Sequence, residues 1–244
     1  MIAQEQNPTP PTPTQARLDV NGRRRIVVIL IYMTIEAAVL FAAAGTLAWL
    51  NGWALVGLRL LSTLVAGVII IRINPEVINE RGRKKENDNT KWWDKVFAAV
   101  YLPLVVIIPI VAGLDFRYGW TAVPVALQIA SVALLLPAMV LPYWAMAVNR
   151  NLETTVRIQD DRGHQVCTDG PYRFVRHPMY LGAVALYLGM PLLLDSWWTA
   201  VPTGIALLAV VMRTALEDRT LRAELPGYRD YAQETRYRLI PGVW

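Results

Sequence analysis

Apolar residues in this chain come in long uninterrupted runs, without the alternation of a half-buried strand or the stripe of a soluble helix. A hydrocarbon layer roughly 30 Å thick takes about 20 apolar residues as a helix, and lipid offers no partner to an unpaired backbone amide. Four runs meet that length: Ile26 to Leu50, Trp53 to Ile73, Val96 to Leu114 and Trp120 to Val148. Met179 to Leu194 and Trp197 to Leu216 are shorter, and with only Asp195 and Ser196 between them they predict a tight helical hairpin. The pattern predicts an all-α, polytopic membrane protein of about six transmembrane helices. It divides into a tail over residues 1–25, a four-helix transmembrane region over 26–148, and a core over 149–244 that joins the hairpin to polar loops and a C-terminal tail. The first run exceeds the roughly 7–15 apolar residues of a signal peptide and predicts an uncleaved signal anchor. The Pro-, Thr- and Gln-rich stretch from Gln4 to Gln15 before it predicts disorder.

Charge sharpens this picture through its placement. The formal net charge of +5 is compatible with a nucleic-acid ligand, but the cations sit at alternate ends of the predicted spans. Arg23 to Arg25 precede the first span, and Arg72, Arg81, Arg83, Lys84, Lys85, Lys91 and Lys95 lie between the second and third. Arg150, Arg157, Arg162, Arg173 and Arg176 follow the fourth, and Arg213, Arg219, Arg222, Arg229, Arg236 and Arg238 mark the end of the sixth and the tail. The other side holds only Arg117. The positive-inside rule then predicts cytoplasmic termini, a working surface on the cytoplasmic side and no nucleic-acid partner. The compact chain points to a bacterial inner membrane. The mixed-charge loop from Asn74 to Lys95 reads as a solvated face against anionic membrane lipids, with Trp92 and Trp93 as an interfacial anchor. Within the spans, Glu36 and Arg59 each sit near mid-depth, where an unpaired charge is expensive, and adjacent antiparallel helices would let them pair; contact with a substrate is the other reading. Pro103, Pro109, Pro124, Pro137 and Pro142 in the third and fourth spans predict helix bending.

Candidate chemistry concentrates in the last hundred residues. The single cysteine, Cys167, excludes an internal disulfide, and two histidines outside the spans leave no metal or transmembrane haem site to expect. From Gly163 to Gly182 the chain places hydrogen-bonding side chains at the membrane surface: Gly170-Pro171 predicts a turn before Tyr172 and Arg173, and Pro178 suits the first turn of a helix capped by His177. Such a loop suits an anionic or nucleotide-like ligand; read as composition alone, it is also an ordinary positive-inside loop. Arg213 and Glu217, four residues apart, share a helical face and can equally be a surface ion pair.

Five pieces in order, Gly170-x-Tyr172, Arg176-His-Pro-x-Tyr180-x-Gly182, Glu217-Asp-x-x-Leu221, Gly227-Tyr-x-x-Tyr231 and Tyr237-Arg-Leu-Ile-Pro241, resemble the isoprenylcysteine carboxyl methyltransferase family over residues 163–244. The resemblance implies S-adenosylmethionine in a cytoplasmic pocket closed by the C-terminal tail, and a lipophilic or prenylated small-molecule acceptor entering from the bilayer. It carries the family's cofactor contacts onto His164, Gln165, Val166, Cys167, Tyr172, His177, Pro178, Met179, Tyr180 and Glu217, and its substrate-side arginine onto Arg213. Methyl transfer from a sulfonium needs alignment and exclusion of water and no metal. A carboxylate acceptor would suit the two-pronged guanidinium of Arg213. Asp218 after Glu217 departs from the strongest form of the acidic motif. The membrane sterol reductases, which use NADPH, share the Arg-His-Pro-x-Tyr-x-Gly pattern, but an acidic residue usually follows their glycine where this chain has Ala183.

Overall fold

The computed structural model describes residues 17–83 and 90–244. Among them every regular element is helical. In chain order these are α1 (Val20–Ala44), α2 (Leu50–Ile73), α3 (Pro75–Gly82), α4 (Trp92–Tyr118), α5 (Val125–Val148), α6 (Pro178–Leu193), α7 (Ala200–Glu224) and α8 (Tyr228–Glu234), with short 3₁₀ turns at Asp160–Arg162 and Gly170–Arg173. Five helices, α1, α2, α4, α5 and α7, are long and apolar enough to cross a membrane. With 16 residues α6 rises only about 24 Å, less than a full hydrocarbon thickness. Large apolar side chains such as Ile31, Ile35, Leu64, Val68, Ile129 and Val140 stand exposed on the outer faces. A surface of this kind is at equilibrium only against lipid, and the protein is an integral membrane protein.

Several boundaries differ from those of the apolar runs. Helix α1 starts at Val20, so Arg23 to Arg25 are helical and not part of the tail; Asp19 caps it, accepting a 2.8 Å hydrogen bond from the Gly22 amide. The predicted disorder from Gln4 to Gln15 and the lipid contacts expected of Lys84 and Lys85 lie outside the described residues. Residues 120–124 are not helical, because Pro124 stands as the cap of α5 and not inside a span. The hairpin between α6 and α7 is wider than two residues. Asp195, in the left-handed region at φ 57°, turns its carboxylate to the Val123 amide, and buried Asp115 accepts from Ser196 Oγ at 2.5 Å and Thr121 Oγ1 at 2.6 Å. These bonds fix the far ends of α4, α6 and α7 together.

The mixed-charge stretch after α2 is not simply a solvated face. Its first part forms α3, which buries Val77 and Ile78 against Ile70 and ties down the start of α1: Asn79 accepts from the Asp19 amide and donates to the Arg17 carbonyl, both at 3.0 Å. Glu76 pairs with Arg162, and Lys91 with Glu224, so these charges join segments at the same end of the bundle to one another.

One apolar core runs through the bundle, from Leu40 and Phe41 on α1 through Leu104 and Ile108 on α4, Leu135 on α5 and Tyr187 and Met190 on α6 to Ala206 and Val210 on α7. The last hundred residues therefore share their core with the first four spans. The α5/α6 contact is the most extensive, and Gly182 of the Arg-His-Pro motif permits it, since a Cβ there would lie 2.8 Å from Pro142 Cδ. Glu36 and Arg59 form the anticipated ion pair between α1 and α2.

Candidate functional site

Where α5 ends, the backbone leaves the bundle and folds into a wall of the site. Asn149, the C-cap of α5, donates to the Tyr172 hydroxyl at 3.0 Å and accepts from the Asn151 amide at 2.9 Å. Gln159, almost fully buried, donates to the Asn151 carbonyl at 2.6 Å and accepts from Arg162 at 2.8 Å. Glu153 holds Arg157 through two bonds of 2.9 and 3.0 Å. These side chains do for the loop what a sheet ladder does elsewhere, and they set the segment from His164 to Cys167 along one side of a cavity. The Gly170-Pro171 turn is a 3₁₀ turn with Gly170 at φ 57°. It directs Tyr172 inward and leaves Arg173 outside with Asp169.

The floor is the start of α6. His177 is its cap residue and Pro178 its first-turn proline; the His177 and Tyr180 rings stack with centroids 5.8 Å apart. The opposite wall is α7, whose Arg213, Glu217 and Leu221 follow one another at four-residue spacing on one face. Tyr228 and Tyr231 of α8 complete the lining. The space between these walls, counting its open mouth, is about 800 Å³.

All eleven residues named from the sequence, His164, Gln165, Val166, Cys167, Tyr172, His177, Pro178, Met179, Tyr180, Arg213 and Glu217, line this one cavity. Glu217 Oε2 accepts from the Tyr180 hydroxyl at 2.5 Å, leaving Oε1 without a partner among the described residues. The backbone amides of Val166 and Cys167 likewise make no hydrogen bond among the described residues. Burial pushes the Cys167 thiol up and does the same to the Tyr172, Tyr228 and Tyr231 phenols, so all four groups stay protonated at neutral pH. Among the described residues no group of three or more His, Cys, Asp and Glu side chains is placed to hold a metal.

Two acids behind the lining were not anticipated. Asp94, in the first turn of α4 and nearly buried, approaches Arg213 Nε to 2.9 Å, but the alignment is too poor for a hydrogen bond and both atoms lack one. Arg213 is held instead by the Thr154 carbonyl, 2.8 Å from Nη2, and by the faces of Phe97 and Tyr180, whose centroids lie 4.5 and 5.5 Å from its Cζ. Nothing in the sequence around Asp94 signals this contact, because its partner is more than a hundred residues away.

Asp218, which read as a motif departure, is a buried hub. Its carboxylate takes Arg176 at 2.7 and 3.3 Å, Arg222 and Arg238 each at 2.9 Å, and the Tyr228 hydroxyl at 3.1 Å. Arg176 Nη1 also reaches the carbonyls of Thr235 and Arg236, both at 2.7 Å, and the amides of Arg176 and His177 donate to the carbonyls of Tyr237 and Arg238. One carboxylate thus straps the C-terminal tail to the start of α6 and the end of α7. Glu217 and Asp218, adjacent in sequence, face the cavity and the strap respectively, about 100° apart around the helix.

Residues 126–225, less than half of the chain, match the family model of phospholipid methyltransferases. That is the same family of integral-membrane methyltransferases as the isoprenylcysteine carboxyl methyltransferases. The match covers α5 to α7 with the wall loop between them, and therefore all eleven residues. Asp94, Phe97, Tyr228 and the tail lie outside it. No curated protein matches the chain.

Proposed function

We propose that this protein, whose residues 126–225 match the phospholipid methyltransferase family model, transfers a methyl group from S-adenosylmethionine to a lipophilic acceptor, at the cytoplasmic surface of a bacterial inner membrane. The observation that carries the reading is the convergence of Glu217, the wall segment from His164 to Cys167, and Arg213 on a single cavity at the arginine-rich end of the bundle.

The donors and acceptors of that cavity fit the cofactor. The free Oε1 of Glu217 suits an ammonium, the unpaired amides of Val166 and Cys167 suit carboxylate, ribose or adenine acceptors, and the tyrosines offer flat faces to a purine. S-adenosylmethionine bound there would supply a methyl group on a positively charged sulfur that leaves as a neutral thioether. The protein's own task is alignment and exclusion of water. The Asp218 strap holds the tail beside the cavity, and Arg213, with Nη2 on the Thr154 carbonyl and Nε facing Asp94 without a hydrogen bond, keeps Nη1 to orient an acceptor oxygen. A phospholipid and a prenylated carboxylate are the acceptor classes suggested by the family match and by the motif resemblance.

Calorimetric titration of the purified protein with S-adenosylhomocysteine and, separately, with NADPH tests this reading. Saturable binding of the first alone, weakened at least tenfold by Glu217→Ala, is the expected result. Binding of NADPH alone would replace the methyltransferase reading with a reductase.

A further inference from the structure

A second polar site lies inside the membrane. Glu36 on α1 and Arg59 on α2 pair through one oxygen and one nitrogen, Oε1 and Nη1, and neither Glu36 Oε2 nor Arg59 Nη2 has a partner among the described residues. A purely structural pair at mid-depth would be packed on all sides, since each unsatisfied polar atom there costs free energy. This pair instead borders two cavities. One is a narrow gap, about 370 Å³ counting its open surroundings, bordered also by Pro109 of α4 and Met190 of α6; the other, of about 530 Å³ with its mouth, lies between α1, α2, α4 and α6 and is also lined by Tyr32, Tyr101 and Tyr187. The hydroxyls of Tyr101 and Tyr187 bond to each other, which consumes one of their two protons and leaves the other to donate. The larger cavity thus offers a carboxylate acceptor and a phenolic donor, and the group that answers both is a hydroxyl.

The same cavity is joined to the cytoplasm-side site by one face of α4. The Arg213 guanidinium lies on the Phe97 ring, Phe97 stacks on Tyr101 at 4.9 Å, and Tyr101 meets Tyr187 edge-on at 6.1 Å. Phe97, Tyr101, Val105 and Ile108 follow at helical spacing, so the cavity opens on the order of 10 Å deeper than Arg213 at 1.5 Å of rise per residue. Charged groups within a span are costly and commonly mark substrate or ion pathways.

We propose that this cavity is a second subsite for the methyl acceptor, recognising a hydroxyl carried on its apolar body on the order of 10 Å from the methylated group. The acceptor is then a hydroxylated terpenoid or phenolic lipid and not a plain hydrocarbon chain. This assignment rests on the methyltransferase reading above.

The test uses the full chain in lipid nanodiscs with two probes, 4-decylphenol and decylbenzene, and follows thermal unfolding by tryptophan fluorescence, since a ligand that binds the folded state raises its stability with concentration. The phenol should stabilise the wild type saturably, with at least tenfold higher affinity than the hydrocarbon. Tyr101→Phe with Tyr187→Phe, and independently Glu36→Gln, should remove that preference while S-adenosylhomocysteine binds with unchanged affinity. In the wild type, the phenol should compete with a lipid extract for tritiated methyl groups. Equal stabilisation by both probes, no binding of either, or retention of the preference in both variants overturns the subsite. Wild-type protein that binds the phenol but not S-adenosylhomocysteine overturns the methyltransferase reading, and with it the assignment of the cavity to an acceptor.

Discussion

Replacing Asp218 by Asn keeps the shape of the hub and removes its charge, and the burial of its partners sets the consequence. Arg176 and Asp218 side chains are 1% and 0% exposed, so Asn leaves a buried guanidinium without a counterion. Breaking a buried pair from one side costs about 3–5 kcal/mol. Two carbonyl acceptors remain on Arg176 Nη1, which places the expectation near the lower end, about 3 kcal/mol. Arg238 is 30% exposed and Arg222 42% exposed; water screens them, and truncation of either to Ala should cost about 1 kcal/mol for Arg238 and under about 0.5 kcal/mol for Arg222. The order of destabilisation is therefore Asp218→Asn, then Arg238→Ala, then Arg222→Ala. Thermal unfolding of the three variants measures it, and limited trypsin digestion reads release of the tail at Arg236 and Arg238. Asp218→Asn melting within error of Arg222→Ala, with the tail still protected, would refute the strap.

Further outcomes follow from the site and the packing. Arg213→Lys keeps the charge but loses the fork geometry that reaches Thr154 and Asp94; turnover should fall at least tenfold with affinity for S-adenosylhomocysteine within twofold, and an unchanged rate would remove Arg213 from acceptor orientation. Gly182→Val forces side-chain atoms against Pro142 and should destabilise by about 1–3 kcal/mol, visible as a lower unfolding temperature, whereas a neutral result would mean that α5 and α6 separate freely. Burial raises the Cys167 thiol above its ordinary value of 9.0, so the thiolate fraction at neutral pH is below that of free cysteine. Iodoacetamide should label it more slowly than a free thiol near pH 7, with the rate rising on the alkaline side and falling when S-adenosylhomocysteine is present; rapid labelling at pH 7 would contradict the burial.

How much of this was legible beforehand depends on the range of the interactions. The spans were readable because hydropathy is a local property, and even their polar pair, Glu36 with Arg59, followed from depth alone. The start of α1 was misjudged because Arg23 to Arg25 read as flanking loop, although long cationic side chains reach water from a helix end and Asp19 three residues before Gly22 is a capping signal. Pro124 was misassigned for a related reason: a proline at a helix start and one inside a span look alike when the apolar run continues through both. In the candidate site, the residues named in advance are those carried over by the resemblance across residues 163–244, and one cavity gathers them all. Asp94 and the hub role of Asp218 escaped because most of their partners come from other helices and the tail, where no spacing rule reaches, and Gln159 because its partners, Asn151 and Arg162, lie in the same irregular loop, which has no periodicity to read. Arg176 and Tyr228 stood inside quoted motifs, and an arginine and a tyrosine on motifs that flank an extra acid are the signal that would have pointed to the strap.

The central claim is methyl transfer into the lipid phase. Membranes containing the protein, incubated with S-adenosylmethionine tritiated in its methyl group and then extracted with organic solvent, test it most directly. The account predicts label in the lipid fraction that membranes without the protein do not show and that Glu217→Ala reduces at least tenfold. Label confined to the aqueous phase, or equal with and without the protein, would contradict it.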